Sequence, residues 1–243
     1  MDSVKDYIEF VNAPWGRIFY DLLIMQLNIC QAPKLNILDF GSGLGVTADY
    51  FAEWHDVTAV EPKAEMIENS LKKHSYTQIS GGIEKLPALK RNSFDIVFCH
   101  NVLEYIEDKK PIVAELMRLL KQGGTLSVVK HNRIGKVFHS AVFRSSPKKA
   151  IDLLDSHSND KSNYLGTQYI YSNSDIIEWA GKCGGKIRDI YGMRTFWALG
   201  QDNNIKYTDE WYLNMLLLES KVAEIEDYKQ AAFYNHLLIE KIK

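Results

Sequence analysis

Between Leu35 and Lys130 short apolar runs alternate with stretches of helical periodicity, and this alternation constrains the fold more than any other feature of the chain. "LNILDF", "DVTAVE", "YTQIS", "FDIVFC" and "TLSVVK" read as strands, with "VTADYFAEW", "AEMIENSLKKH" and "KKPIVAELMRLL" as helices among them. Gly123–Gly124 reads as the stop of the last helix. Strands joined through helices build a parallel, doubly wound sheet with helices on both faces, so the expected class is α/β. The flanks differ. Residues 1–30 read as helical, "SDIIEWAGKCGGKIRDI" as a helix, a glycine turn and a strand, and "AAFYNHLLIEKI" as a final strand. In an open α/β sheet such flanks lie over the carboxyl edge, where ligands bind.

With 243 residues and 46% hydrophobic residues the chain can bury a full core, which excludes a disordered protein. A formal net charge of −2 provides no global field toward nucleic acid or an anionic membrane. Cys30, Cys99 and Cys183 are odd in number and widely spaced, so neither a disulfide framework nor a zinc site is expected, and no metal. "MDSVKDYIEF" lacks the pattern of a signal peptide and no apolar run suffices to span a bilayer. The expected location is cytoplasmic, with no membrane partner.

The first strand runs into "DFGSGLG". Gly41, Gly43 and Gly45 allow positive φ and a ligand close to the backbone, and the following helix turns its first N–H groups toward it. The dinucleotide fingerprint G-x-G-x-x-G requires glycine at position 46, where this chain has Val46. Asp39 stands just ahead of the loop, which suits an ammonium better than a pyrophosphate. Glu61 closes the second strand, where it can accept both hydroxyls of a ribose. Ammonium, carboxylate and ribose together describe S-adenosylmethionine.

These residues resemble the first motif of the class I S-adenosylmethionine-dependent methyltransferases (methyltransferase-11/25 type). "SGGIEKLP", "FDIVFCHNVLEYIED" and "LLKQGGTLSV" resemble the later motifs of that family in the same order. The resemblance implies a Rossmann-like, mostly parallel seven-stranded sheet with an N-terminal helical element and lid elements after the fifth strand. It implies a single methyltransferase domain over 1–243: a helical cap at 1–30, a cofactor-binding core at 35–130, and lid elements and C-terminal strands at 131–243. The cofactor it implies is S-adenosylmethionine, with Asp39, Gly41, Gly43, Gly45, Glu61, Pro62, Gly82, Ile83 and His100 expected to hold it. Where the family often has an aspartate for the adenine amino group, this chain has Gly82. Adenine recognition then falls to the backbone of Gly82 and Ile83, helped by Glu84.

"APWGRIFYDLL", "KHNRIGKVFHSAVF" and "GMRTFWAL" resemble flanking segments of the bacterial tRNA carboxymethoxyuridine methyltransferases. In those enzymes an arginine of the N-terminal helix contacts the cofactor, and Arg17 occupies the matching place. The expected acceptor is a small molecule or a modified tRNA uridine carboxylate, and the expected assembly a monomer or homodimer. Arg17, His131, Asn132 and Arg133, and the Met193–Trp197 segment with Arg194 and Trp197, are expected to converge over strands four and five as an acceptor lid for an anionic, planar group. A carboxylate acceptor needs no base; a hydroxyl or amine needs one such as His131 or His100. Trp15, Tyr20, Tyr105, Tyr169, Phe196 and Trp197 read as core ahead of acceptor surface, which for Trp197 stands beside the lid expectation. A nicotinamide-dependent oxidoreductase and a non-catalytic cofactor-binding module are the alternatives.

Overall fold

The structure, a computed structural model, describes residues 3–155, 160–162 and 166–243. Helices α1 (Val4–Asn12) and α2 (Pro14–Leu27) lead into β1 (Asn36–Phe40), α3 (Val46–Ala52), β2 (Asp56–Glu61), α4 (Ala64–Glu68) and β3 (Thr77–Ser80). Next come β4 (Phe94–His100), α5 (Lys110–Leu119), β5 (Leu120–His131), α6 (Arg133–Phe138) and α7 (Pro147–Asp155). A two-stranded ribbon of β6 (Asp160–Ser162) and β7 (Gly166–Gln168) precedes α8 (Asn173–Lys182), β8 (Gly185–Met193), α9 (Asp209–Val222), α10 (Glu226–Ala231) and β9 (Tyr234–Lys241).

Seven strands pair in the order β3-β2-β1-β4-β5-β9-β8. Only β9 runs against its neighbours; the other six are parallel to one another. The order reverses between β1 and β4, so the loops leaving their carboxyl ends part to either side and open a crevice. Helices on both faces bury the sheet, which is why β1 and β4 are near-continuous apolar runs and not alternating ones. On one face Val113, Leu116 and Met117 of α5 and Ile176 of α8 pack on Leu38 and Val97. On the other, Leu22 of α2, Phe51 of α3 and Tyr212 of α9 pack on Ile37 and Phe98. A third, small cluster joins Val4 and Val11 of α1 to Leu44 and Met66, and so straps α1 across the glycine loop.

Two local expectations fail for identifiable reasons. The "AEMIENSLKKH" helix stops at Glu68, because the Asn69 side chain turns back to donate to the Glu65 carbonyl (2.8 Å). The chain beyond is pinned elsewhere: the amides of Lys73 and His74 both donate to the Asp49 carboxylate. The glycine pair does not end α5, which stops at Leu119; Gly123–Gly124 lies inside β5, where the β4–β5 register slips between Phe94 and Ile96. A Cβ on Gly124 would stand 2.9 Å from the Asp95 carbonyl, so the strands approach closely there.

Candidate active site

A cavity of about 490 Å³ opens over the carboxyl ends of β1, β2 and β4, roofed by α1 and α2. Asp39, Gly41, Gly43, Glu61, Pro62, Gly82, Ile83 and His100 all line it. Gly41 and Gly43 have φ of +78° and +55°, the left-handed region that side chains disfavour. Glu61 organises the loop: its Oε2 accepts from the Gly43 amide (2.8 Å) and its Oε1 from the Lys63 amide (2.9 Å). Each of these oxygens keeps a further lone pair for a ligand. Gly82 donates its amide to Glu84 Oε1 (2.9 Å), so Glu84 braces the turn that carries Gly82 and Ile83.

Asp39 is 3% exposed and its Oδ2 has no hydrogen-bond partner. Burial, with the nearby Glu61 charge adding to it, pushes its carboxyl up from 3.8 to about 7. A buried acid with a free oxygen facing a cavity is a place for a cation. In the ligand-free protein the raised value means that the stability tied to this proton is complete near pH 4 and is lost as pH rises through 7, at up to about 1.4 kcal/mol per pH unit. Denaturant titrations of native protein and Asp39→Asn should therefore diverge: the variant gains stability relative to native from pH 4 to 7 and holds that gain above. Parallel profiles would mean that Asp39 ionises freely.

At the far end of the cavity stand His131 and Arg194. The His131 ring donates from Nδ1 to Glu104 Oε1 (2.5 Å) and its backbone amide donates to Glu104 Oε2 (3.2 Å). Arg194 is 8% exposed, has φ of +60°, and its Nε has no partner. His100 Nε2 bonds Ser127 Oγ, which bonds His236 Nε2, each at 2.8 Å, leaving His100 Nδ1 buried and partnerless. Burial, then the facing His236, holds His100 well below its ordinary value, so it stays neutral.

Five expected site residues are not brought to the cavity. Gly45 caps α3, and a Cβ there would meet the Tyr76 hydroxyl at 2.3 Å, so its role is close packing. Arg17 lies outside, its guanidinium 4.1 Å from the centre of the Tyr212 ring and 3.6 Å from Asp21. Asn132 caps α6 and donates to the Gln230 and Ala232 carbonyls. Arg133 turns to the Leu153 and Leu154 carbonyls. Trp197 is 1% exposed, wedged against Trp211 and Tyr212. The expected three-segment lid therefore reduces to His131 and Arg194.

Other lining residues did not stand out in the sequence. Tyr7 and Tyr20, hydrogen-bonded to each other, roof the glycine loop, and burial raises the Tyr7 phenol to about 12, so both remain neutral. Tyr20 and Tyr105 line the cavity instead of filling the core. Glu104 stood inside a quoted motif, and an acid in the turn after β4 was the available signal.

Residues 38–128 match the family model described as "Methyltransferase domain". The tRNA 5-carboxymethoxyuridine methyltransferase of Escherichia coli is 24% identical over 223 residues, 86% of this chain and 80% of that protein. A ubiquinone biosynthesis O-methyltransferase of Xanthomonas campestris is 32% identical over 169 residues, 66% of each chain. In fold, the chain resembles a Listeria monocytogenes protein assigned as an S-adenosylmethionine-dependent methyltransferase, with TM-score 0.63 and 15% identity over 93% of this chain and 99% of that one. With a methyltransferase domain set in this sheet order and relatives of that one activity, the chain is an S-adenosylmethionine-dependent methyltransferase.

Proposed function

We propose that the chain transfers the methyl group of S-adenosylmethionine to an anionic acceptor, with donor and acceptor at opposite ends of the one cavity. The observation that carries this reading is Asp39, buried, with an unpartnered oxygen, beside a glycine loop locked by Glu61. Bound there, the cofactor supplies an electrophilic methyl on a sulfonium. Asp39 takes its ammonium, the open backbone at Gly41 and Gly43 accommodates the methionine chain, and Glu61 accepts from the ribose hydroxyls. The Gly82–Ile83 turn takes the adenine, and His100 borders the methionine end. The chain acts as one methyltransferase domain in which α1 and α2 cap the core and the segments after β5 bear the acceptor groups.

Arg194 supports an anion at the acceptor end, since a buried guanidinium with a free N–H is satisfied by an oxyanion. The tRNA carboxylate of one relative and an O-methylated metabolite like that of another are both consistent with such a group. No helix among the described residues is long and apolar enough to cross a membrane, and a cytoplasmic setting agrees with that.

Calorimetric titration with S-adenosylhomocysteine is expected to show micromolar-range binding, and titration with NADH none. Binding of NADH in place of S-adenosylhomocysteine would transfer the site to the nicotinamide alternative.

A further inference from the structure

The acceptor end holds a built acid–base pair that a carboxylate acceptor would not need. Glu104 is 5% exposed and grips His131 twice, at the ring and at the backbone amide. This fixes the ring's angle, and because a carboxylate can only accept, it commits the proton to Nδ1. The lone pair is then on Nε2, which has no partner among the described residues, on a residue that lines the cavity. Burial alone would lift the Glu104 carboxyl, but His131 and Lys130 together hold it below its usual range, so it stays ionised. The Tyr234 ring lies between the two polar groups, 4.6 Å from the His131 ring centre and 5.6 Å from the Arg194 guanidinium. Phe19, Tyr20 and Tyr105 complete an aromatic wall. His100 is less suited to be the base, because its Nε2 is tied into the Ser127–His236 chain and its Nδ1 is buried.

Resting on the methyltransferase reading above, we infer that His131, positioned by Glu104, is the general base for methylation of an aromatic hydroxyl, on an acceptor whose anionic group is held by Arg194. The hydroxyl proton moves to His131 Nε2. The acceptor oxygen forms a bond to the methyl carbon as the carbon–sulfur bond breaks, its electron pair stays on sulfur in S-adenosylhomocysteine, and the proton passes to water. The charge on Glu104 stabilises the imidazolium formed in this step.

The probes are 3,4-dihydroxybenzoate, 4-hydroxybenzoate and benzoate, with labelled S-adenosylmethionine. Label is expected in the methyl ethers of the hydroxybenzoates and not in benzoate. His131→Gln should lower kcat by about 10²-fold or more and remove the acid limb of its pH profile, while S-adenosylhomocysteine binds within about twofold of native by calorimetry. Glu104→Gln keeps an acceptor for Nδ1 but no charge, and should shift the acid limb to lower pH. The groups that also face His131 are Lys130, Lys136, His139, Arg194 and Tyr234, so the limb is read as the difference between native and variant. Independently of activity, the nitrogen NMR spectrum of the free protein should show His131 protonated at Nδ1. The Nε2–H tautomer, an unchanged acid limb in His131→Gln, or label only in a carboxyl ester overturns the base. If S-adenosylhomocysteine binds but no hydroxybenzoate is labelled, the acceptor class is overturned while the cofactor reading stands; if S-adenosylhomocysteine does not bind, the cofactor reading itself has failed.

Discussion

Gly43→Val is expected to eliminate detectable S-adenosylhomocysteine binding in calorimetry while the protein still unfolds cooperatively. A Cβ at Gly43 meets no nearer neighbour than the Tyr7 ring at 4.0 Å, so the added side chain enters the open cavity and not the core. It occupies the space assigned to the methionine chain. The backbone there has φ of +55°, a conformation that costs a β-branched residue about 1–3 kcal/mol, so a lower melting temperature should accompany the lost binding. The contrast with Gly41 makes the result specific. A Cβ on Gly41 would lie 2.3 Å from Val102, so its replacement damages packing before it touches a ligand. Native affinity in Gly43→Val would remove the methionine chain from this loop.

That loop was legible because its information is local. Asp39, Gly41 and Gly43 fall within five consecutive residues, and β2 ends at Glu61 in register beside the same crevice. The parallel, doubly wound core also followed from the alternation of periodicities, since each run was long enough to declare itself, whereas the count of seven strands was implied by the family resemblance and their order came from the structure. What sequence hid was pairing at a distance. Glu104 and His131 lie 27 residues apart, and only the β4–β5 register brings the turn after one strand against the end of the other. Arg17 was misplaced because its position on α2 gives no helix azimuth; packing of α2 against α9 turns it to Tyr212 and away from the cavity. Asn132 and Arg133 directly follow the cavity-lining His131, yet the chain enters α6 there and their side chains serve its cap and neighbouring carbonyls. Aromatic residues carry no sequence mark separating a cavity wall from a core, which is why Tyr20 and Tyr105, read as core together with Trp197, line the cavity while Trp197 is buried.

Glu219→Ala should be the most destabilising single change outside the cofactor loop, about 4 kcal/mol or more in denaturant unfolding. Glu219 is fully buried on α9, and its two oxygens accept from three successive amides: Thr195 (2.8 Å) on one, Phe196 (2.8 Å) and Trp197 (2.7 Å) on the other. Burial pushes its carboxyl up; the three amides and Arg194 act against that rise. Removing the carboxylate strands three N–H donors away from water and leaves a void beside Trp197, two large penalties at one point. The same carboxylate holds the turn in which Arg194 adopts φ of +60° and reaches the cavity. Glu219→Gln, which keeps one acceptor oxygen, is the variant for function: it should fold, bind S-adenosylhomocysteine as native does, and lose affinity for 4-hydroxybenzoate as Arg194 loses its support. A loss of stability below about 1 kcal/mol in Glu219→Ala would show that the turn is held by its own packing and that Arg194 owes its placement to Phe233 and Tyr234 instead.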